Sequence, residues 1–254
     1  MTDTPPASDP SRRVALVNEA GGYVGPDVAR ELARRGHDLV LGNASPALVA
    51  ELESLGATVE VVDGVRNLAH PGAAPALVAA ALGRFGHIDA AAAFTGQIIG
   101  GKFMKSSVED LQQLVVGCLE APYHFLKAVA EPMIARGSGQ ILLITSAAGA
   151  RPTPGAPLYS AVRAGATMMA KNLAAEIART GVQVNTVGTN FMDFPEFHAA
   201  AGTDNPEIRA RYEAEIPMGR FGTMEEFAAF CMVFLDGTSR FTTGQFVGYA
   251  GGWV

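Results

Sequence analysis

The chain has 254 residues, 48% hydrophobic and 17% charged, enough to bury a large core in one α/β domain without needing a second. Its formal charge of -6 and pI near 5.4 argue against nucleic acid as a partner, because phosphate binding calls for clustered basic side chains. The basic cluster most worth checking, Arg34 and Arg35, reads as a solvated helix end.

Residues 1–12, within MTDTPPASDPSRR, are expected to form a loose tail, with one catalytic domain over 13–254. The tail has no apolar run, so neither a signal peptide nor a membrane anchor is expected, and a cytoplasmic protein is. The apolar run Val14 to Asn18 predicts a strand that enters a glycine-containing turn, and Pro26 to Arg35 follows with helical spacing. The alternation continues with a strand at Leu39 to Leu41, a helix at Ala47 to Leu55, a strand at Thr58 to Val62 and a helix at Ala74 to Phe85. A fourth strand is expected at Ile88 to Phe94, one long helix at Val108 to Ala135, and a fifth strand at Gln140 to Thr145. Another long helix, Leu158 to Arg179, precedes a sixth strand at Val182 to Val187. The strands read as apolar throughout, as in a parallel sheet covered on both faces. Residues 189–222 break the pattern with Pro195, Pro206 and Pro217, and read as a substrate-covering segment with one short helix. A last helix, Met224 to Leu235, and a last strand, Gly244 to Val247, complete a single-domain, doubly wound Rossmann-like α/β fold with helices on both faces.

Cys118 and Cys231 lie in apolar helical stretches and are expected to be buried and reduced. His37, His70, His87, His124 and His198 are scattered without ligand spacing, so no metal is expected.

Three residues carry candidate chemistry. Tyr159 and Arg163 are one helical turn apart on one face, and Ser146 stands thirteen residues upstream of Tyr159, just after the fifth strand. An ordinary phenol titrates near 10, so a tyrosine base working near neutrality needs roughly 4 kcal/mol of preference for the phenolate. A neighbouring guanidinium can supply part of it, and the serine can bind the same substrate oxygen. The arrangement resembles the Ser-Tyr-Lys constellation of short-chain dehydrogenases/reductases, with arginine where that family has lysine. In the resembled family that lysine also reaches the nicotinamide ribose.

The first turn, NEAGGYVG, aligns with the family pattern Thr-Gly-x-x-x-Gly-x-Gly so that Asn18 replaces the Thr, Glu19 the first Gly and Tyr23 the second, while Gly25 is kept. Glu19 places a carboxylate near a site meant for anions, Tyr23 adds a phenol, and Asn43 stands where an acid would hold a ribose. Loss of NAD(P) binding is therefore expected. Ser146, Tyr159 and Arg163, combined with Tyr23 in a turn close to Thr-x4-(Phe/Tyr)-x-Gly, resemble the halohydrin dehalogenases. That resemblance implies a cofactor-independent lyase turning vicinal haloalcohols into epoxides and halide, or opening epoxides with azide, cyanide or nitrite. By the same resemblance Tyr23, Thr189, Asn190, Phe191 and Met192 would form the halide pocket, and the assembly would be a homotetramer with no membrane partner. Phe191, Met192, Phe194 and Phe197 could equally be lid residues packing on the core. Thr95, Gln97, Ile98 and Ala147, with Phe194 and Phe197, are weaker candidates for the substrate pocket, or a loop only. Tyr249 and Trp253 are candidates to touch a neighbouring subunit. The alternatives are an NAD(P)-dependent short-chain reductase with a diverged turn, or a ligand-binding relative without catalysis.

Overall fold

A computed structural model describes residues 11–254. Residues 1–10 of the expected tail lie outside them, while Arg12 of that tail pairs with buried Asp38 at 2.9 Å. The strands are β1 Arg13–Val17, β2 His37–Gly42, β3 Val59–Val62, β4 Ala90–Phe94, β5 Gly139–Ser146, β6 Val182–Thr189 and β7 Phe246–Tyr249. All pair in parallel, in the order β3-β2-β1-β4-β5-β6-β7. The helices are α1 Gly25–Arg34, α2 Pro46–Ser54, α3 Ala73–Phe85, α4 Val108–Val115, α5 Ala121–Arg136, α6 Pro157–Ile177, α7 Pro195–Ala201, α8 Pro206–Ala214 and α9 Met224–Cys231. None of the described helices is long and apolar enough to cross a membrane.

Successive strand residues point to opposite faces, so one strand feeds two cores. Val14 and Leu16 join Leu77, Phe125 and Ala166 on one side, whereas Ala15 and Val17 join Leu32, Leu52 and Phe227 on the other. This is the expected sheet with helices on both faces. Cys118 and Cys231 are both fully buried, and no group of His, Cys, Asp and Glu among the described residues could hold a metal ion.

Four local expectations need correction. The 108–135 helix is not uniform: α4 passes through a π-helical turn, Val116–Glu120, before α5 begins. That turn carries Cys118 toward Gly96, where a Cβ would lie 2.4 Å from its sulfur, so no larger residue fits there. Residues 189–222 hold two short helices rather than one, α7 and α8. Pro195 and Pro206 start them, since a missing N–H costs nothing in the first helical turn. The last helix ends at Cys231 and tightens into a 3-10 turn, Met232–Phe234. β3 is half-buried and carries Glu60, because an outermost strand has a neighbour on one side only.

The order of strands reverses between β1 and β4, and the crevice at their carboxyl ends is where ligands of such sheets bind. Asn18 closes that junction. Its backbone N–H donates to Ala92 O at 3.1 Å, its Nδ2 donates to Phe94 O at 3.2 Å, and its Oδ1 accepts from Phe94 N–H at 3.1 Å. Asn18 thus ties two strands together rather than capping a turn. Gly42 and Gly25 make the close approach possible, since a Cβ at either would meet a backbone oxygen, of Asn18 or of Glu19, at 1.9 Å. Asn18→Ala removes both side-chain bonds and leaves the part-buried backbone N–H and C=O of Phe94 without these partners, so urea denaturation should show a loss of about 2 kcal/mol.

Candidate active site

Ser146 is the last residue of β5 and pairs in register with Thr189, the last residue of β6. Its Oγ accepts from Ala148 N–H at 3.2 Å and donates to Thr189 O at 3.4 Å. Thr189 Oγ1 in turn lies 2.8 Å from the Tyr23 hydroxyl. The strand ends therefore line Ser146, Thr189 and Tyr23 along the carboxyl edge. Gly188 allows this alignment, because a Cβ there would come within 2.7 Å of both the Phe246 ring and the Ser146 backbone.

Tyr159 sits in the first turn of α6, buried with Leu114, Cys118, Ala148 and Val162. One turn on, the Arg163 guanidinium carbon lies 5.1 Å from the centre of the Tyr159 ring. The charge faces the ring, a cation–π arrangement. Arg163 is 6% exposed and its Nη2 donates to Thr95 O in a short contact. Its Nε and Nη1, with Thr95 Oγ1 and Asn190 Nδ2, are buried without a partner. Burial works against the Arg163 charge, yet Tyr159, Cys118 and Tyr23 more than offset it and its pKa is raised. Gly149 lets the turn after β5 press onto α6, with a Cβ there only 2.7 Å from Ala164 N. Thr95 and Ala147 are buried beside these residues, while Gln97 and Ile98 face outward.

Two of the three family glycine positions in the turn carry side chains, Glu19 and Tyr23. Tyr23 holds φ at +50°, a left-handed conformation costing about 1–2 kcal/mol for a residue with a Cβ. Edge-on contacts with Phe94 at 5.2 Å and Phe194 at 5.0 Å, and the bond to Thr189, hold it there. Burial pushes its phenol pKa well up, so it is a neutral hydroxyl. Glu19 is buried, and its carboxylate accepts from Gly21 N–H at 2.7 Å, Asn43 Nδ2 at 3.0 Å and Arg66 Nε at 3.1 Å.

The lid closes over this edge. Phe197 contacts Phe194, Tyr212 and Phe221, and Phe191 contacts Phe197, Tyr212 and Trp253. Met192 is buried in the core beneath. Trp253 stacks under Arg151, and Tyr249 packs on Phe227 and Phe230, so both have partners inside this chain. Sequence reasoning missed what braces the lid. Asp193 binds His198 Nε2 at 2.5 Å and Arg209 Nη2 at 2.9 Å, and His198 Nδ1 meets Thr203 Oγ1 at 2.5 Å. Burial would raise the Asp193 pKa, but Arg209 and His198 outweigh it and hold it below the usual range. The five-residue spacing of Asp193 and His198 was the only signal available. A cavity of about 350 Å³ behind the lid, bounded by Asn190, Met192, Arg220 and Tyr249, includes none of Ser146, Tyr159 and Arg163.

Residues 21–254 match the family model described as Enoyl-(Acyl carrier protein) reductase. A 3-oxoacyl-[acyl-carrier-protein] reductase of Synechocystis sp. is 32% identical, over 95% of this chain and 97% of its own. Among solved structures, Levodione Reductase superposes with a TM-score of 0.84 at 22% identity, covering 94% of this chain and 96% of its own. The structure described as "ElxO with NADP Bound" does so with a TM-score of 0.85 at 16% identity, covering 95% and 98%. The two solved structures bear on the fold alone, while the family model and the Synechocystis relative place the chain among oxidoreductase enzymes and overturn the expectation of a cofactor-independent halohydrin dehalogenase, a lyase, since relatedness to reductases runs the length of the chain. The halide role given to Tyr23, Thr189, Asn190, Phe191 and Met192 rested on that expectation and goes with it.

Arg163 is a buried cation that faces no carboxylate, which favours function over stability. Arg163→Met keeps an unbranched apolar stem and removes the charge with its two unsatisfied donors. Thermal unfolding should show a midpoint raised by roughly 2–4 °C, about 1 kcal/mol for a chain of this size, together with loss of activity.

Proposed function

The chain belongs to the short-chain dehydrogenase/reductase superfamily, and from that premise we propose that it is an NAD(P)-dependent reductase interconverting a carbonyl and a hydroxyl on a small, largely apolar substrate. The observation that carries the proposal is the 32% identity to a 3-oxoacyl-[acyl-carrier-protein] reductase over 95% of the chain. The placement of Ser146 and Tyr159 at the carboxyl edge of the sheet supports it.

The donor set fits a dinucleotide. Arg163 Nε and Nη1 and Thr95 Oγ1 are buried polar atoms without partners, suited to ribose hydroxyls. Gly21 and Gly22 leave backbone accessible to a phosphate just before α1, while buried Gly25 lets the helix start pack against the Glu19 backbone. Two side chains lie across this set, the Glu19 carboxylate on the turn and the Tyr23 ring beside Thr189, and both have to give way. Gly21, Gly22, Arg163, Thr95 and Thr189 would then hold the group, which supplies or accepts a hydride when bound.

The remaining steps belong to the protein. Ser146 exchanges its long bond to Thr189 O for one to the substrate oxygen. Tyr159 passes its proton to that oxygen, or takes it in the reverse direction, as general acid or base. Arg163, over the ring, stabilises the negative charge left on the phenol when the proton is gone. Phe94 and Phe194 pack edge-on against the Tyr23 ring and give that side of the crevice an apolar wall.

Reduction of a 3-oxoacyl thioester or a cyclic diketone, followed by NADPH and NADH absorbance, tests the reading. Tyr159→Phe should lower kcat/KM by about 10²–10⁴-fold with an unchanged circular dichroism spectrum. Failure of both cofactors to bind at millimolar concentration, with the Glu19 carboxylate present and with it removed, would sink the proposal.

A further inference from the structure

The turn that should receive a phosphate already holds an anion. Glu19 is 6% exposed, and three donors converge on its carboxylate: Gly21 N–H at 2.7 Å, Asn43 Nδ2 at 3.0 Å and Arg66 Nε at 3.1 Å. The seat is close, for a Cβ on Gly21 would lie 2.6 Å from Glu19 Oε1. Asn43 is turned toward it by a left-handed φ of +54° and is fixed from behind by Gly64 N–H, which donates to Asn43 Oδ1 at 2.9 Å. Backbone and side-chain donors arranged around a carboxylate in this way form the kind of nest that binds oxyanions. The Arg66 side chain, 74% exposed, covers the outer lip.

We infer that Glu19 is an internal competitor for the dinucleotide: its carboxylate occupies the phosphate-binding donors of the first turn, and NAD(P) binds by displacing it. A pyrophosphate and a carboxylate cannot share the Gly21 N–H, and two like charges this close repel strongly where water is scarce. Glu196, whose Oε1 lies 3.7 Å from a Cβ built on Gly22, adds a second negative group on the lid side. Once Glu19 swings out, Arg66 and Asn43 lose their anion and take the incoming phosphate. With an amide rather than an acid at the end of β2, and an arginine beside it, the freed donors favour the extra phosphate of NADPH over the ribose hydroxyl of NADH. Glu19 therefore lowers affinity for both cofactors and masks the preference between them.

The inference rests on the proposed reductase function, and calorimetric titration of the full chain with NADPH and NADH separates the two. Glu19→Gln keeps size and hydrogen bonding while removing the charge, and Glu19→Gly empties the nest. Thermal unfolding of each variant checks that it is folded. Expected are at least a tenfold fall in Kd for NADPH in Glu19→Gly, a smaller fall in Glu19→Gln, and NADPH tighter than NADH in both. Arg66→Ala in the Glu19→Gly background should erase that preference. Binding by the unaltered chain with no gain in either folded Glu19 variant overturns the inference and leaves the reductase reading standing. Absence of binding in the unaltered chain and in both variants overturns both.

Discussion

A guanidinium buried without a carboxylate partner is the constraint around which this site is arranged. An uncompensated charge in a protein interior is expensive, and structures tolerate it only where neighbouring groups share it. Arg163 spreads its charge over the Tyr159 ring, the Thr95 carbonyl and the nearby Cys118 and Tyr23 groups. Each of these neighbours is then fixed in turn: Thr95 by its place after β4, Cys118 by the π turn that brings it to Gly96, and Tyr159 by the packing of α6 on the turn through Gly149. The π turn and the close approaches at Gly96 and Gly149 thus hold the groups that surround this one cation.

At the opposite end of the groove the sign is reversed. Glu19 is a buried carboxylate, but it is fully paired, with three donors from three separate stretches of chain. The two charges answer different needs. A satisfied carboxylate stabilises the apo turn and must be displaced for an anion to enter, whereas a half-satisfied guanidinium waits for an oxygen to complete its bonds. The turn's anion seat is therefore already filled, while buried donors of Arg163 and Thr95 are still without a partner.

The fold was legible because its signals are local. Apolar runs alternating with helical spacing specify a parallel sheet wherever the strands are short and the crossovers long, and Tyr159 and Arg163 needed only the helical repeat to be placed together. What was not legible depended on pairing between distant segments. The β5–β6 register that brings Ser146 to Thr189, and the reach of Arg66 across 47 residues to Glu19, leave no periodic trace. Prolines misled at 195 and 206 because a first-turn proline and a chain-breaking one look alike in sequence. The functional expectation failed for a related reason. Glu19, Tyr23 and Arg163 record what one turn and one helix have exchanged, but a substitution does not specify the chemistry that remains, whereas relatedness spread over the whole length counts every position of the core.

The aromatic chain above the site decides how that chemistry is reached. Tyr23 touches Phe94 and Phe194, Phe194 touches Phe197, Phe197 touches Phe191, and Phe191 touches Trp253 near the carboxyl terminus. Edge-on aromatic contacts are individually small, about 0.5–1.5 kcal/mol beyond burial, but they are directional. Turning the Tyr23 ring away from Thr189 changes its angle to Phe194 and so disturbs the next contact. The left-handed φ at Phe191, costly for any residue with a Cβ, is held in the middle of this series by rings on three sides. The lid is pinned independently through Asp193, His198 and Arg209, so the rings can repack while the helices that carry them stay anchored. Displacing the Tyr23 ring therefore costs its bond to Thr189 and its contacts with Phe94 and Phe194 together.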